Sequence, residues 1–303
     1  MRRRVVVTGL GCVSPVGNSV ADSWANLLAG KSGIDLVTSF DTGNLSVKFA
    51  GEVKGFNVAD YMPEKEARHM DRFIHLGLAA AAQAVQDAGL PTGDRLDPEL
   101  ATRIGVNIGS GIGGLPMIEE THAELMNRGP RRISPFFVPA SIINMISGHV
   151  SIRYGFQGPN IAIVTACTTG LHAIGVSARL IESGDADVMV AGGAESCVSP
   201  LGDVNDTNAI KNTLGEHAKK TVVNSTKSMT GHLLGGAGGI ESVFTVLAVH
   251  HQKSPPTINI FNQDPECDLD YCANEARDLK IDVALKNNFG FGGTNGTLVF
   301  KRI

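Results

Sequence analysis

Residues 160–180, NIAIVTACTTGLHAIGVSARL, pass from an apolar β-branched run through small polar residues into an amphipathic pattern. The first part predicts a buried β-strand and the last part an α-helix. One cysteine, Cys167, stands at the junction. The backbone N–H groups and the dipole at the start of a helix stabilise a thiolate, and the same amides can hold an oxyanion. We interpret Cys167 as a nucleophile; the alternative for a lone cysteine is a small core residue.

The composition excludes several classes of protein. The chain has 303 residues, of which 43% are hydrophobic and 18% charged, a globular balance. Its net charge of −4 gives no basic excess that would indicate nucleic acid or an anionic membrane as a partner. The apolar run after the first arginines is too short and too broken by glycine for a signal segment or a membrane span, which favours a cytoplasmic protein.

The cysteines also limit the chemistry. Five cysteines occur without a C-x-x-C pair, and without a secretory signal an odd count favours reduced thiols over disulfides. Cysteine ligation of a metal is equally disfavoured. We expect neither a metal ion nor a cofactor.

Apolar β-branched runs alternate with helical patterns along the chain. The predicted strands are RVVVTG (4–9), RIGVNIG (103–109), NIAIVTA (160–166), ADVMVAGG (186–193), KTVVNS (220–225), IDVALKNN (281–288) and GTLVFKR (296–302). Continuous apolar strands are buried on both faces, which predicts an α/β fold with largely parallel sheets.

Two stretches share one plan of strand, short polar loop and small-residue helix. They are residues 160–180 and residues 220–249, KTVVNSTKSMTGHLLGGAGGIESVFTVLAV. This similarity predicts an internal duplication into two related halves, residues 1–198 and 199–303. The first half supplies four of the predicted strands, whereas the second has none before Lys220. The second half is therefore expected to be incomplete.

The second loop carries a base and a cation. A thiolate nucleophile usually needs such groups nearby, and the duplication would place Lys227 and His232 opposite Cys167. The alternatives are a solvated loop lysine and a histidine that makes a local hydrogen bond at the start of a helix.

A third stretch, NNFGFGGTNG (287–296), places four glycines around two phenylalanines between two predicted strands. Such glycine content indicates a backbone that approaches another surface closely, although a glycine-rich hairpin with core aromatics is an equal alternative. It matches neither the Rossmann fingerprint nor a P-loop, because no helix follows and Gly-Lys-Ser/Thr is absent.

Five motifs in order resemble the β-ketoacyl-[acyl carrier protein] synthases of type II fatty acid synthesis, and among them synthase II. They are RRVVVTGLGCVSPVG, GPRRISPFFVPASIINM, TACTTG, STKSMTGH and NNFGFGGTNGTLVF. The resemblance implies a thiolase-like α-β-α-β-α fold of two related halves, usually a homodimer. It implies condensation of a cysteine-bound acyl chain with malonyl-carrier protein, with loss of CO₂.

The resemblance also implies a role for each motif residue. Cys167 would be acylated, with its own amide and that of Phe291 forming the oxyanion hole. His232 would hold the malonyl thioester carbonyl during decarboxylation, and Lys227 would orient the site electrostatically. The Phe291 side chain matches a gatekeeper for the incoming acyl chain. Glu241 matches a buried acid that structures the site and in some relatives a bound monovalent cation.

The chain departs from the family pattern at one place. Relatives carry a second catalytic histidine in the motif N-A-H-G-T-S-T-P-L-G-D, of which only PLGD (200–203) remains. Roughly a hundred residues are absent before it, as the unequal halves also indicate. His149, His172 and His217 lie on helical patterns and do not replace the missing histidine by motif.

The resemblance further implies acyl carrier protein as the partner. That protein is acidic, so its docking site should be locally basic. The candidates, at positions where relatives dock it, are Lys65, Arg68, Arg131 and Arg132. The alternative is a scattered solvated charge face.

The sequence is compatible with three hypotheses for the function. The first is an acyl-transferring condensing enzyme, favoured by Cys167, Lys227 and His232. The second is a truncated, condensation-deficient synthase that only dimerises or binds carrier protein, favoured by the missing segment. The third is a thiolase acting on coenzyme A esters, which would require a second cysteine in the glycine-rich loop at 287–296, where none occurs.

Overall fold

The computed structural model describes residues 3–196 and 206–303. The expected boundary between the halves at 198/199 and the PLGD remnant at 200–203 lie outside the described residues.

The strands and helices follow in chain order. The strands are β1 Asp35–Leu36, β2 Phe49–Ala50, β3 Ile104–Gly109, β4 Asn160–Ile161, β5 Val188–Gly193, β6 Lys253–Ser254, β7 Arg277–Asp278, β8 Val283–Asn288 and β9 Gly296–Lys301. The α-helices are α1 Val20–Leu28, α2 Glu64–Ala67, α3 Arg72–Asp87, α4 Pro98–Ala101, α5 Leu115–Arg128, α6 Phe137–Ser141, α7 Met145–Tyr154, α8 Thr169–Ser183, α9 Asp206–Leu214, α10 Lys227–Thr230 and α11 Ala237–His251. Short 3₁₀ helices occupy Val58–Asp60, Gly93–Arg95, Pro130–Arg132, Ala166–Thr168, Gly215–Lys220, Leu234–Gly236 and Phe291–Gly293.

A parallel sheet in the order β4-β3-β5 lies at the centre of the molecule. Strand β3 is buried along its whole length, and its side chains alternate between two helical layers. Ile104, Val106 and Ile108 join a core with α3 and α7. On the opposite face, Asn107 donates to the Ala173 carbonyl of α8 at 3.0 Å. This arrangement confirms the predicted α/β class and the parallel sheet.

Helices α8 and α11 cross at glycines. A Cβ on Gly170 would lie 2.5 Å from the Gly239 nitrogen, and a Cβ on Gly238 would lie 2.3 Å from the Leu171 nitrogen. Both distances are too short for any side chain, so only glycine permits this approach. The two contacts are reciprocal, because each helix presents one glycine to the other. The start of α8, which follows Cys167, is therefore held against the start of α11.

The hairpin β8–β9 forms a further layer against α8 and α11. Its strands are antiparallel, unlike the central sheet, because only a short loop joins them. The inward positions of β8 include the buried Lys286 and Asn288. Its outward positions expose Val283 and Leu285 to solvent, and Val299 of β9 is exposed as well.

Three of the strand predictions are wrong, one in the length of the strand and two in that no strand forms. The run at 160–166 forms a strand only over Asn160–Ile161, and the run at 220–225 forms only an isolated bridge between Val222 and Asp270. Residues 4–9 form no strand. Beyond that run, the amides of Leu10 and Cys12 donate to side chains of α3 instead. A β-branched run becomes a strand only when a neighbour completes its hydrogen-bond ladder.

A cavity of about 2080 Å³ separates residues 4–9 from part of the central sheet. Its walls include Val5 and Val7 on one side and Val188 and Val190 of β5 on another. Strand β5 pairs with β3 along one edge. The cavity is therefore bordered by residues 4–9 and by β5, a strand at the edge of this sheet.

No helix within the described ranges is long and apolar enough to cross a membrane.

Candidate active site

Cys167 lies in a tight turn between β4 and α8. The 3₁₀ helix Ala166–Thr168 leads directly into α8, and Ala166 has a φ of 51°, in the left-handed region that side chains disfavour. The Thr165 amide donates to the Thr169 hydroxyl at 2.9 Å, which closes the turn. The cysteine is 5% exposed. The predicted junction of strand, cysteine and helix is therefore present, with the thiol at the start of a helix of fifteen residues.

The second loop has the same local form and packs against the first. Leu234 has a φ of 46° and begins the 3₁₀ helix Leu234–Gly236, which leads into α11. This turn contacts the Ala166–Thr168 turn directly. His232 lies two residues before Leu234 along the chain. The structure thus brings the predicted histidine loop beside the cysteine turn.

Lys227 is held by a buried carboxylate. Its Nζ lies 2.6 Å from Glu241 Oε1, and the Nζ of Lys286 lies 2.6 Å from Glu241 Oε2. Glu241 is on the first part of α11 and is 6% exposed. Burial alone would raise the pKa of this carboxyl, but the charges of Lys286 and Lys227 outweigh it and lower the pKa to about 2. Glu241 is therefore an anion that fixes Lys227.

The glycine-rich loop closes over the cysteine turn. The Thr294 hydroxyl donates to the Thr165 carbonyl at 2.9 Å. His172 on α8 spans both segments, with Nδ1 2.9 Å from the Thr165 hydroxyl and Nε2 3.4 Å from the Asn295 carbonyl. Phe291 opens this loop and is 72% exposed. The loop at 290–295 and the residues flanking Cys167 thus form one hydrogen-bonded unit.

The large cavity reaches only part of this cluster. Its lining includes Lys227 and His232, and among the described lining residues Cys167 does not occur. Lys227 and His232 therefore share this cavity with residues 4–9 and β5.

The four basic candidates are exposed on two adjoining segments. Lys65 and Arg68 lie at α2, and Arg131 and Arg132 lie in the 3₁₀ helix Pro130–Arg132. The ring of His69 stacks on that of Phe136 with centroids 3.9 Å apart, which joins the two segments.

This patch also has an acid and an apolar component. Arg68 contacts Glu64 at 3.7 Å, an exposed pair that contributes little stability. Phe136 and Val138 beside the arginines are exposed. The result is a mixed basic and apolar surface.

Sequence reasoning missed two groups that support the site. The sequence gives no signal for Lys286, because the run VALKNN does not alternate between apolar and polar residues. Glu195 follows β5 and accepts hydrogen bonds from the Ser110 hydroxyl at 2.9 Å and the Gly111 amide at 2.8 Å. Burial raises the pKa of Glu195 in spite of these bonds. No sequence pattern pointed to this second carboxylate.

Comparison with known proteins identifies the family. The model of the β-ketoacyl synthase N-terminal domain matches residues 2–236. The chain belongs to the β-ketoacyl synthase family. It is 39% identical over 414 aligned positions to 3-oxoacyl-[acyl-carrier-protein] synthase 2 of Coxiella burnetii, covering 100% of this chain and 99% of that protein. It is 41% identical over 416 positions to the protein of that name from Vibrio cholerae, covering 100% of both.

The alignments also bear on the missing segment. With 303 residues in this chain, at least 111 of the 414 positions aligned with the Coxiella burnetii synthase have no residue here. This agrees with the internal segment of roughly a hundred residues that the sequence indicated.

Solved ketosynthases share the fold. A type II PKS acyl-carrier protein in complex with its ketosynthase, AntDE:AntF, bound to the hexaketide, contains a chain that superposes with a TM-score of 0.86 at 25% identity, covering 100% of both chains. A β-ketoacyl synthase from Burkholderia phymatum superposes with a TM-score of 0.80 at 21% identity, again over 100% of both. These likenesses confirm the thiolase-like fold class.

The residues beside Glu241 do not fit a bound metal ion. A cation would need the carboxylate and amide oxygens there as ligands, but Lys286 already places its ammonium among them. Within residues 3–196 and 206–303, no group of three or more histidine, cysteine, aspartate or glutamate side chains could hold a metal ion.

Proposed function

We propose that the chain is a condensing enzyme of type II fatty acid biosynthesis, a β-ketoacyl-[acyl carrier protein] synthase that is acylated at Cys167. The observation that carries this proposal is the meeting of three loops: the cysteine turn, the turn after His232 and the glycine-rich loop. The names of the relatives supply the substrate class, namely carrier-protein thioesters.

The first step is acyl transfer. The Cys167 thiolate attacks the thioester carbonyl of acyl-carrier protein and forms a tetrahedral oxyanion. The amides of Cys167 and Phe291 hold this oxyanion. Collapse expels the carrier-protein thiolate, which takes up a proton, and leaves an acyl group on Sγ. The hydrogen bonds that His172 and Thr294 make with Thr165 support the geometry that this step needs.

The second step is condensation. Malonyl-carrier protein loses CO₂, and its developing enolate attacks the acyl carbonyl on Cys167, so that Sγ leaves and 3-oxoacyl-carrier protein forms. His232 holds the thioester oxygen on which the enolate charge develops. Lys227, anchored on Glu241, adds a positive charge to the site. The relatives' second histidine is missing, and one preorganised donor is typically worth on the order of 10²–10³ in rate.

A second candidate is a chain that retains acyl transfer but does not condense. The cavity beside β5 and the exposed outer face of the β8–β9 hairpin favour it. Both features indicate that part of the second half's packing is absent. Lys227 and His232 line that cavity, so their placement depends on the packing there. We expect Cys167 to be acylated, with little or no ketoacyl product.

One experiment tests both candidates. Acyl-carrier protein and radiolabelled malonyl-carrier protein are supplied together, and acyl-enzyme and elongated product are followed separately. Cys167→Ser should abolish the acyl-enzyme, while Cys267→Ser, at the partly exposed thiol, should leave it unchanged. Absence of acylation in the folded wild type would refute the function. Product formed as fast as by a full-length relative would refute the second candidate.

The proposal extends to the partner of this protein, its oligomeric state, its two halves and its location in the cell. We assign carrier-protein docking to the surface of Lys65, Arg68, Arg131 and Arg132, whose positive charge suits an acidic partner. A homodimer is supported by the edge position of β4, where Ile161 is exposed. Two halves, 1–198 and 199–303, are supported by the reciprocal contacts of α8 and α11. An odd number of cysteines without a C-x-x-C pair favours the cytoplasm.

A further inference from the structure

Lys286 is a buried cation surrounded by oxygen atoms. Its side chain is 10% exposed, because β8 turns alternate residues inward against α11. The Nζ lies 2.6 Å from Glu241 Oε2 and donates to Asn288 Oδ1 at 2.9 Å and to the Asn287 carbonyl. An ammonium has three N–H donors, and three oxygens meet it here.

The surrounding groups are arranged around this charge. Asn288 Nδ2 donates to Glu241 Oε2 at 3.2 Å, so the amide bridges the same carboxylate oxygen that pairs with Lys286. Glu241 Oε1 is turned towards Lys227. The carboxylate therefore has one oxygen for each lysine, and the position of Lys227 depends on how Lys286 holds Glu241.

We propose that the Lys286 ammonium is the resident cation of Glu241, occupying the place in which a monovalent metal ion would otherwise balance this carboxylate. The site then needs no ion from solution, and Lys286 is a positioning residue for Lys227. The inference goes beyond the proposed reaction and does not depend on it.

Charge and geometry both support the assignment. Sodium and potassium carry the same single charge as an ammonium, and both are bound by carboxylate, amide and backbone oxygens, the ligands present here. A metal ion entering beside Lys286 would meet a like charge in a buried place, where repulsion is least screened. If the lysine charge is removed while the oxygens stay, the same oxygens form a site for a monovalent ion.

The test uses Lys286→Met, which keeps an unbranched side chain but removes the charge. Thermal unfolding is measured in KCl, in NaCl and in choline chloride at equal ionic strength, because choline is too large for the site. We expect the Tm of the variant to be a few degrees higher in KCl or NaCl than in choline chloride, since an ion that binds only the folded state stabilises it. The wild type should have the same Tm in all three salts. Lys301→Met, at an exposed lysine of the same hairpin, should behave like the wild type.

A second variant separates binding at Glu241 from other salt effects. Adding Glu241→Gln to Lys286→Met removes the anionic ligand, and the ion dependence should disappear. A wild type stabilised by KCl or NaCl over choline chloride would overturn the proposal. So would a folded Lys286→Met whose Tm is equal in all salts. If neither variant folds in any salt, the wild-type comparison decides: equal Tm values support the proposal, and higher values in KCl or NaCl overturn it.

Discussion

Glu241→Gln should destabilise the protein strongly, because it removes one negative charge from between two lysines while keeping the size of the side chain. At about 1.4 kcal/mol per pKa unit, the fall in the carboxyl pKa from 4.5 to about 2 corresponds to about 3 kcal/mol of stability. Breaking a buried ion pair typically costs about 3–5 kcal/mol, since the partner charge stays buried. Lys286 would lose the carboxylate that balances its buried charge. We expect the free energy of unfolding to fall by about 3–5 kcal/mol.

Urea unfolding followed by tryptophan fluorescence measures this change. Trp24 is the single tryptophan, is buried, and stacks on His251 at the end of α11 with centroids 5.8 Å apart. It therefore reports on the helix that carries Glu241. Glu99→Gln, at an exposed glutamate, is the matched control and should change the free energy by less than about 0.5 kcal/mol.

The double variant Glu241→Gln with Lys286→Met supplies the decisive comparison. Removing both members of the pair leaves no buried lysine without its carboxylate, so part of the lost stability should return. A double variant no more stable than Glu241→Gln would contradict this reasoning. A single variant within about 0.5 kcal/mol of the wild type would contradict it as well.

Because of the same ion pairs, the free energy of unfolding should fall as the solution becomes acidic. The pKa of Glu241 is lowered by folding, so the unfolded chain takes up this proton at a higher pH than the folded chain. The stability from this group is therefore fully present above the ordinary carboxyl pKa of 4.5 and is lost as the pH falls from there towards about 2. In Glu241→Gln this part of the pH dependence should be absent, and urea titrations between these limits measure it.

Three further outcomes are expected. Limited iodoacetamide treatment with mass mapping should label Cys167 before Cys12, because burial raises the pKa of the Cys12 thiol to about 11; preferential labelling of Cys12 would contradict this. Reversing both Arg131 and Arg132 to glutamate should weaken carrier-protein binding in calorimetry, and wild-type affinity should fall with salt because exposed charges are screened within roughly 10 Å; unchanged binding at low salt would count against the docking surface. His172→Ala should slow acylation of Cys167 about five- to tenfold, the worth of one hydrogen bond, while His172→Gln should lose less; equal rates in all three proteins would remove His172 from the site.

Short-range sequence patterns predicted the centre of the site. The change from a β-branched run to an amphipathic pattern placed Cys167 at the start of a helix, and the structure has it in the 3₁₀ turn before α8. Repetition of that pattern placed the loop of Lys227 and His232 nearby, and the two turns do contact each other. These features depend on sequence-local periodicity and on glycines that permit close packing. Such information can be read without the fold.

Features that depend on distant neighbours were not predictable in the same way. Residues 4–9 have the composition of a strand, but composition does not supply a partner, and the structure leaves them beside the cavity. Lys286 looked like an ordinary strand lysine until α11 placed Glu241 against it. Glu195 likewise acquires its role only when β5 and the loop after β3 meet.

The position of the cavity distinguishes the groups for acyl transfer from the groups for condensation. The groups for acyl transfer lie where α8, the cysteine turn and the glycine-rich loop are bonded to one another, and Cys167 is not among the described residues that line the cavity. Lys227 and His232 do line it, together with residues 4–9 and β5. Loss of packing there therefore acts first on the groups that stabilise the enolate. Acylation and condensation should accordingly respond differently to changes in that wall: filling it with a larger side chain at Val190 should alter the yield of ketoacyl product while acylation of Cys167 stays constant. Equal changes in both steps would show that the cysteine turn is not insulated from the cavity.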